Sequence, residues 1–140
     1  MEPGIINVQS WRDLRSIMLF EFIGTTIMLM GINLSGGSPV VVVACIFTAA
    51  IMTYRVSGAH FNAALSVAIY IVEGKWKKNL PILGASVAGS LLGALAGTLL
   101  AYFIQGKEGM AILKPKDGAS IGYVATVELL STLILMLIIL

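Results

Sequence analysis

Residues 57–66 read SGAHFNAALS, and this stretch decides the fold. It gathers His60, Asn62 and two serines around Gly58, yet it lies between the apolar runs VVVVACIFTAAI and LSVAIYIV. With 58% of the 140 residues hydrophobic and only 11% charged, in long apolar blocks, the chain is read as an integral membrane protein. A bilayer core of about 30 Å needs about 20 helical residues. Four blocks meet that length, near residues 17–34, 39–54, 80–104 and 121–140. All four are expected to be helices, because lipid offers no partners for open strand edges. The first block contains Glu21 and lacks a small-residue cleavage pattern, so it is expected to stay in the mature protein.

The polar break is explained by length. Residues 62–72 are apolar and helix-compatible, but at about 1.5 Å per residue they reach only about 16 Å, half a membrane. For the spans on either side to alternate, this piece must dip in and return to the same side as a re-entrant half-helix. Backbone of that kind is tolerated at membrane depth only against protein or a water-filled cavity. Gly58 permits dihedrals closed to other residues, and Asn62 is a favoured N-cap. The carbonyls of Gly58, Ala59, His60 and Phe61 are then free to face a polar permeant. The half-helix N-terminus adds partial positive charge, which disfavours cations. The fold class expected is all-α integral membrane, with four transmembrane helices and one re-entrant half-helix, suited to passing neutral solutes.

Charge placement orients the chain. Arg12, Arg15, Arg55, Lys75, Lys77 and Lys78 fall on the side of the N-terminus, whereas Lys107, Lys114 and Lys116 fall on the other, interleaved with Glu108 and Asp117. The positive-inside bias puts the N-terminus on the cytoplasmic or equivalent side, with the identity of the membrane left open. A net charge of +2 without a basic run argues against nucleic acid. The single Cys45 cannot form an intrachain disulfide and reads as a small buried hydrophobe. His60 lacks the companions of a metal site or a catalytic triad, and no nucleophile, phosphate loop or redox motif accompanies it. No enzyme activity, metal or cofactor is expected.

SGAHFNAALS resembles the first signature loop of the aquaporin and aquaglyceroporin (major intrinsic protein) family, usually S-G-A-H-x-N-P-A-V-T. EFIGTTIML resembles the opening of that family's first helix, and WKKNLPILGASVAGSLLGALAG its third, especially the aquaglyceroporin form. EFIGTTIMLM from Glu21 and ELLSTLILML from Glu128 also resemble each other, as in channels built from two inverted halves. The chain is therefore read as one truncated aquaporin-like domain over 1–140. Residues 1–106 form a first repeat with its half-helix at about 62–72, 107–120 a loop, and 121–140 the first helix of a second repeat. On this reading the pore is incomplete, and another protein chain or a second copy must cover its open side. Surrounding lipid is the other partner, with a small neutral solute if the chain forms a channel.

The resemblance implies pore-lining roles for Gly58, Ala59, His60, Phe61, Asn62 and Val42, and loop-bracing roles for Glu21 and Glu128. Glu128 is expected within hydrogen-bonding reach of His60 or the neighbouring loop backbone. Val42 stands where the family supplies an aromatic to its narrow filter, so an aliphatic here implies a wider constriction that admits glycerol-sized solutes. Ala63 replaces a usual Pro, Tyr54 and Arg55 a usual Gly and His, Ser66 a usual Thr and Ser86 a usual Gln; the two serines are read as packing adjustments and Arg55 as snorkelling. Gly89, Gly93 and Gly97 form a small-residue stripe expected to pack within the protomer. The resemblance further implies a homotetramer, an inference that presumes six spans. Two functions follow: a passive channel for water, glycerol or similar solutes, or a non-conducting, channel-derived subunit of a larger membrane complex.

Overall fold

The computed structural model describes residues 11–110, 115 and 118–139, so Lys114, Lys116, Asp117 and Leu140 of the readings above lie outside it. Five helices follow in order: α1 (Trp11–Leu34), α2 (Pro39–Ser57), α3 (Ala63–Glu73), α4 (Trp76–Gly109) and α5 (Ile121–Ile139). Four of them are long and apolar enough to cross a membrane, whereas α3 has 11 residues. Among the described residues the secondary structure is all helical, and the four long apolar helices make the chain an integral multi-pass membrane protein. The third long span is wider than its apolar block, starting at Trp76 and running past a break at Gly106 (φ 71°, ψ 178°). Its lysine-bearing first turn needs only helical geometry, not hydrophobicity, to join the helix.

Glycine sets the central packing. A Cβ added to Gly89, Gly93 or Gly97 would stand 2.4, 2.5 and 2.5 Å from the carbonyl oxygens of Met18, Phe22 and Thr26. The contacts advance by four residues on both helices, so α1 and α4 run parallel with their backbones nearly touching. Without side chains on that stripe the helices gain close van der Waals contact along several turns. At the far end Gln105 Nε2 donates to the Asn33 carbonyl at 3.0 Å. The stripe is thus spent inside the protomer.

The other helices assemble on this pair. On α2, Ala49, Thr53 and Ser57 are buried at a spacing of four, and Cys45 Cβ would meet a Cβ on Gly31 at 2.5 Å. That stripe is the face turned to α1. The short α3 folds back along α4, where Tyr70 Oη donates to the Trp76 carbonyl at 2.9 Å and the two rings meet edge to face at 5.2 Å. Asn79 Nδ2 donates to Glu73 at the same corner. No residue of α5 is buried.

Candidate functional site

The chain between α2 and α3 forms a compact bend held from below by α1. Gly58 ends α2 in the left-handed region (φ 87°), and its N–H donates to the Tyr54 carbonyl at 3.0 Å. Ala59 (φ 55°) and Phe61 (φ 48°) are also left-handed although neither is glycine. Strain of this kind costs about 1–3 kcal/mol per residue and persists only where the surroundings enforce it.

The enforcing group is Glu21, which is fully buried on α1. Its Oε1 accepts from the His60 N–H at 2.9 Å and its Oε2 from the Phe61 N–H at 2.7 Å. Hydrogen bonds to a charged group contribute about 1.5–3 kcal/mol each, enough to offset the strain at the two residues. Ser90 Oγ on α4 lies 3.2 Å from the same Oε2 and 2.9 Å from the Ser86 carbonyl, so its single hydrogen faces two acceptors. The carboxylate therefore joins α1, α4 and the bend in one buried polar knot. Among the described residues, no hydrogen bond reaches the carbonyls of Gly58, Ala59, His60 or Phe61.

Smaller bonds finish the bend. Ser57 Oγ accepts from the Ala59 N–H at 3.2 Å. His60 Nδ1 lies 3.0 Å from Ser66 Oγ, which is also 3.2 Å from the Asn62 carbonyl. Asn62 takes an extended backbone (φ −150°, ψ 120°), and its Oδ1 accepts from the Ala64 N–H at 2.8 Å. It is the N-cap of α3, whose first helical residue is Ala63. The rest of the Asn62 side chain is exposed beside this cap. Phe61 turns its ring the other way, into the bundle and against Gly24, and only 7% of the residue stays exposed.

The site residues read from the sequence thus fall into two groups. Gly58, Ala59, His60, Phe61, Asn62 and Glu21 come together in one bend. Val42 lies apart, half-buried toward the start of α2 on the face that continues through Ala49. An open apolar groove of about 310 Å³ between α1 and α2 is lined by its neighbours Val40, Val41, Ala44 and Cys45 with Ile27 and Thr48, not by Val42. Glu128 corrects the expectation: it is exposed on α5 and, among the described residues, makes no hydrogen bond to the bend. The reason is placement: α5 has no buried residue, so Glu128 does not face the bend, whose amides at His60 and Phe61 are bound by Glu21. Ser66, Ser90 and Gly24 were not singled out by the sequence for this site. Only their spacing on helix faces, Ser90 beside the Gly89 stripe and Gly24 three residues after Glu21, could have pointed to them.

With its two oxygens bonded to the amides of His60 and Phe61, Glu21 acts as the brace of the bend. No curated protein and no solved structure gives a match to this chain. The family model described as major intrinsic protein matches residues 7–140, and the chain belongs to that family of membrane channels.

Proposed function

We propose that the chain supplies one wall of a passive, selective passage for water, glycerol or similar small neutral solutes. The observation that carries this reading is the bend itself. Glu21 draws the amides of two successive residues to one side, which leaves the neighbouring carbonyls and the exposed Asn62 amide as a polar surface at the start of a half-length helix. Carbonyl oxygens replace part of a neutral solute's hydration shell, and the α3 N-terminus repels cations. Val42, without an aromatic ring at the narrow position, suits glycerol-sized solutes. The N-terminus lies on the cytoplasmic-equivalent side by the charge bias.

The passage needs further protein, whether another chain, a second copy or a continuation of the same polypeptide, to close the side on which Asn62 is exposed. A second reading, a non-conducting subunit of a larger membrane complex, draws on the lack of any buried residue in α5. Stopped-flow light scattering separates these. Liposomes holding only the 140-residue chain should shrink or swell no faster than empty ones in water and glycerol gradients. The assembly purified from its native membrane should conduct and lose that flux with Asn62→Leu. Selective flux through the isolated chain contradicts the incomplete wall, and an assembly that passes neither solute contradicts the channel.

A further inference from the structure

Glu21 fixes where two amides lie, but two bonds to one carboxylate do not by themselves set the direction in which the chain leaves toward Asn62. A second point of attachment sets it. Gly24 lies three residues after Glu21 on the same face of α1, and a Cβ built on it would stand 2.0, 2.5 and 2.8 Å from Cε1, Cζ and Cδ1 of Phe61. The ring is seated on bare backbone. Phe61 therefore grips one helix face twice, through its N–H to Glu21 Oε2 at 2.7 Å and through its ring on Gly24. Residue 61 is also the left-handed residue (φ 48°) that precedes Asn62, so its orientation sets the direction in which the chain leaves for the N-cap.

We propose that Phe61 is the positioning residue of this site: its ring, seated on Gly24, sets where the Asn62 amide stands. The importance of that amide for solutes rests on the channel reading above, but the seating itself does not. The proposal makes positions 24 and 61 a size-matched pair. A methyl at 24 must displace the ring, by a change of its χ angles or of the backbone at residue 61, and on this proposal the backbone turns because the ring is buried. A smaller side chain at 61 should then sit on the methyl.

The test is a double-mutant cycle on the full 140-residue chain in lipid nanodiscs, read by NMR and independent of conduction. The readouts are the backbone amides of His60 and Phe61, which the carboxylate bonds should hold downfield, and the side-chain amide of Asn62. Gly24→Ala and Phe61→Leu should each shift these signals while leaving the amides of Gly93 and Gly97 in place. In Gly24→Ala/Phe61→Leu the loop signals should return closer to wild type than in either single variant. Should Gly24→Ala not fold, Phe61→Leu alone still must move the Asn62 signal. Shifts that simply add in the double variant, or an Asn62 signal indifferent to Phe61→Leu, would overturn the proposal. A matching cycle without any flux in the native assembly would overturn the channel reading alone.

Discussion

Glu21 on α1 and Glu128 on α5 open two similar stretches, EFIGTTIMLM and ELLSTLILML, and meet opposite environments. Each carboxylate has a small residue three positions on and a threonine four positions on, Gly24 and Thr25 in one helix, Ser131 and Thr132 in the other. Such residues share a helix face. On α1 that face is buried: Glu21 is 0% exposed and Thr25 1%, with two amides bound to the carboxylate. On α5, Glu128 and Ser131 are exposed. A helix face with a carboxylate is thus half of a site. It becomes a site when a backbone with free amides is laid on it, and α1 has the bend at 58–62 while α5 has none among the described residues.

The comparison breaks most visibly at the two acids. Glu21→Ala strands one buried and one part-buried amide and leaves the left-handed residues unsupported, so it should destabilise the chain by about 4 kcal/mol or more. Glu128→Ala should stay within about 0.5 kcal/mol. Reversible unfolding of the micelle-bound chain in denaturing detergent, followed by circular dichroism, measures both. Equal losses at the two positions would mean that α5 packs on the bend in solution.

Glycines sharpen the same contrast. Gly93→Ala drives a methyl to 2.5 Å from the Phe22 carbonyl and should cost about 2–3 kcal/mol in that unfolding assay. Gly122→Ala on α5 meets nothing within 4 Å and should be neutral or stabilising by about 0.5–1 kcal/mol, from helix propensity alone.

The caps give the smallest effects. Asn62→Ala removes the acceptor for the Ala64 N–H and should cost about 1 kcal/mol, with faster amide exchange through the first turn of α3. Ser120 Oγ accepts from the Tyr123 N–H at 3.2 Å in the same way. Because no α5 residue is buried, Ser120→Ala should fray only the first turn of α5 and leave the global unfolding midpoint where it was.

Much of this was legible in the residues alone, for definite reasons. Helix length against bilayer thickness marks the four spans and the short α3, and the polar residues at 57–62 mark the bend. The bracing roles of Glu21 and Glu128 come from the family resemblance, and the need of a carboxylate in an apolar block for donors agrees with it at Glu21. The Gly89, Gly93 and Gly97 stripe is visible because its period is that of a helix face. The seating of Phe61 on Gly24 has no such signature. The two residues lie 37 positions apart, and neither belongs to a periodic pattern that predicts the other. Left-handed Ala59 and Phe61 are equally silent, since non-glycine residues take that conformation only when tertiary contacts compel it. The same need for donors pointed to Glu128, and there it misled. Periodicity assigns a residue to a face, whereas the partner of that face is decided by which helix packs against it, and α5 has no buried residue.

Amide hydrogen exchange at His60 and Phe61 tests most directly whether Glu21, and not Glu128, holds the bend. In Glu21→Gln one acceptor oxygen becomes a donor facing an N–H, and a loss of about 3 kcal/mol corresponds to exchange about 100-fold faster at these two positions. Glu128→Gln should leave both rates unchanged. Fast exchange in Glu128→Gln together with unchanged rates in Glu21→Gln would contradict the account.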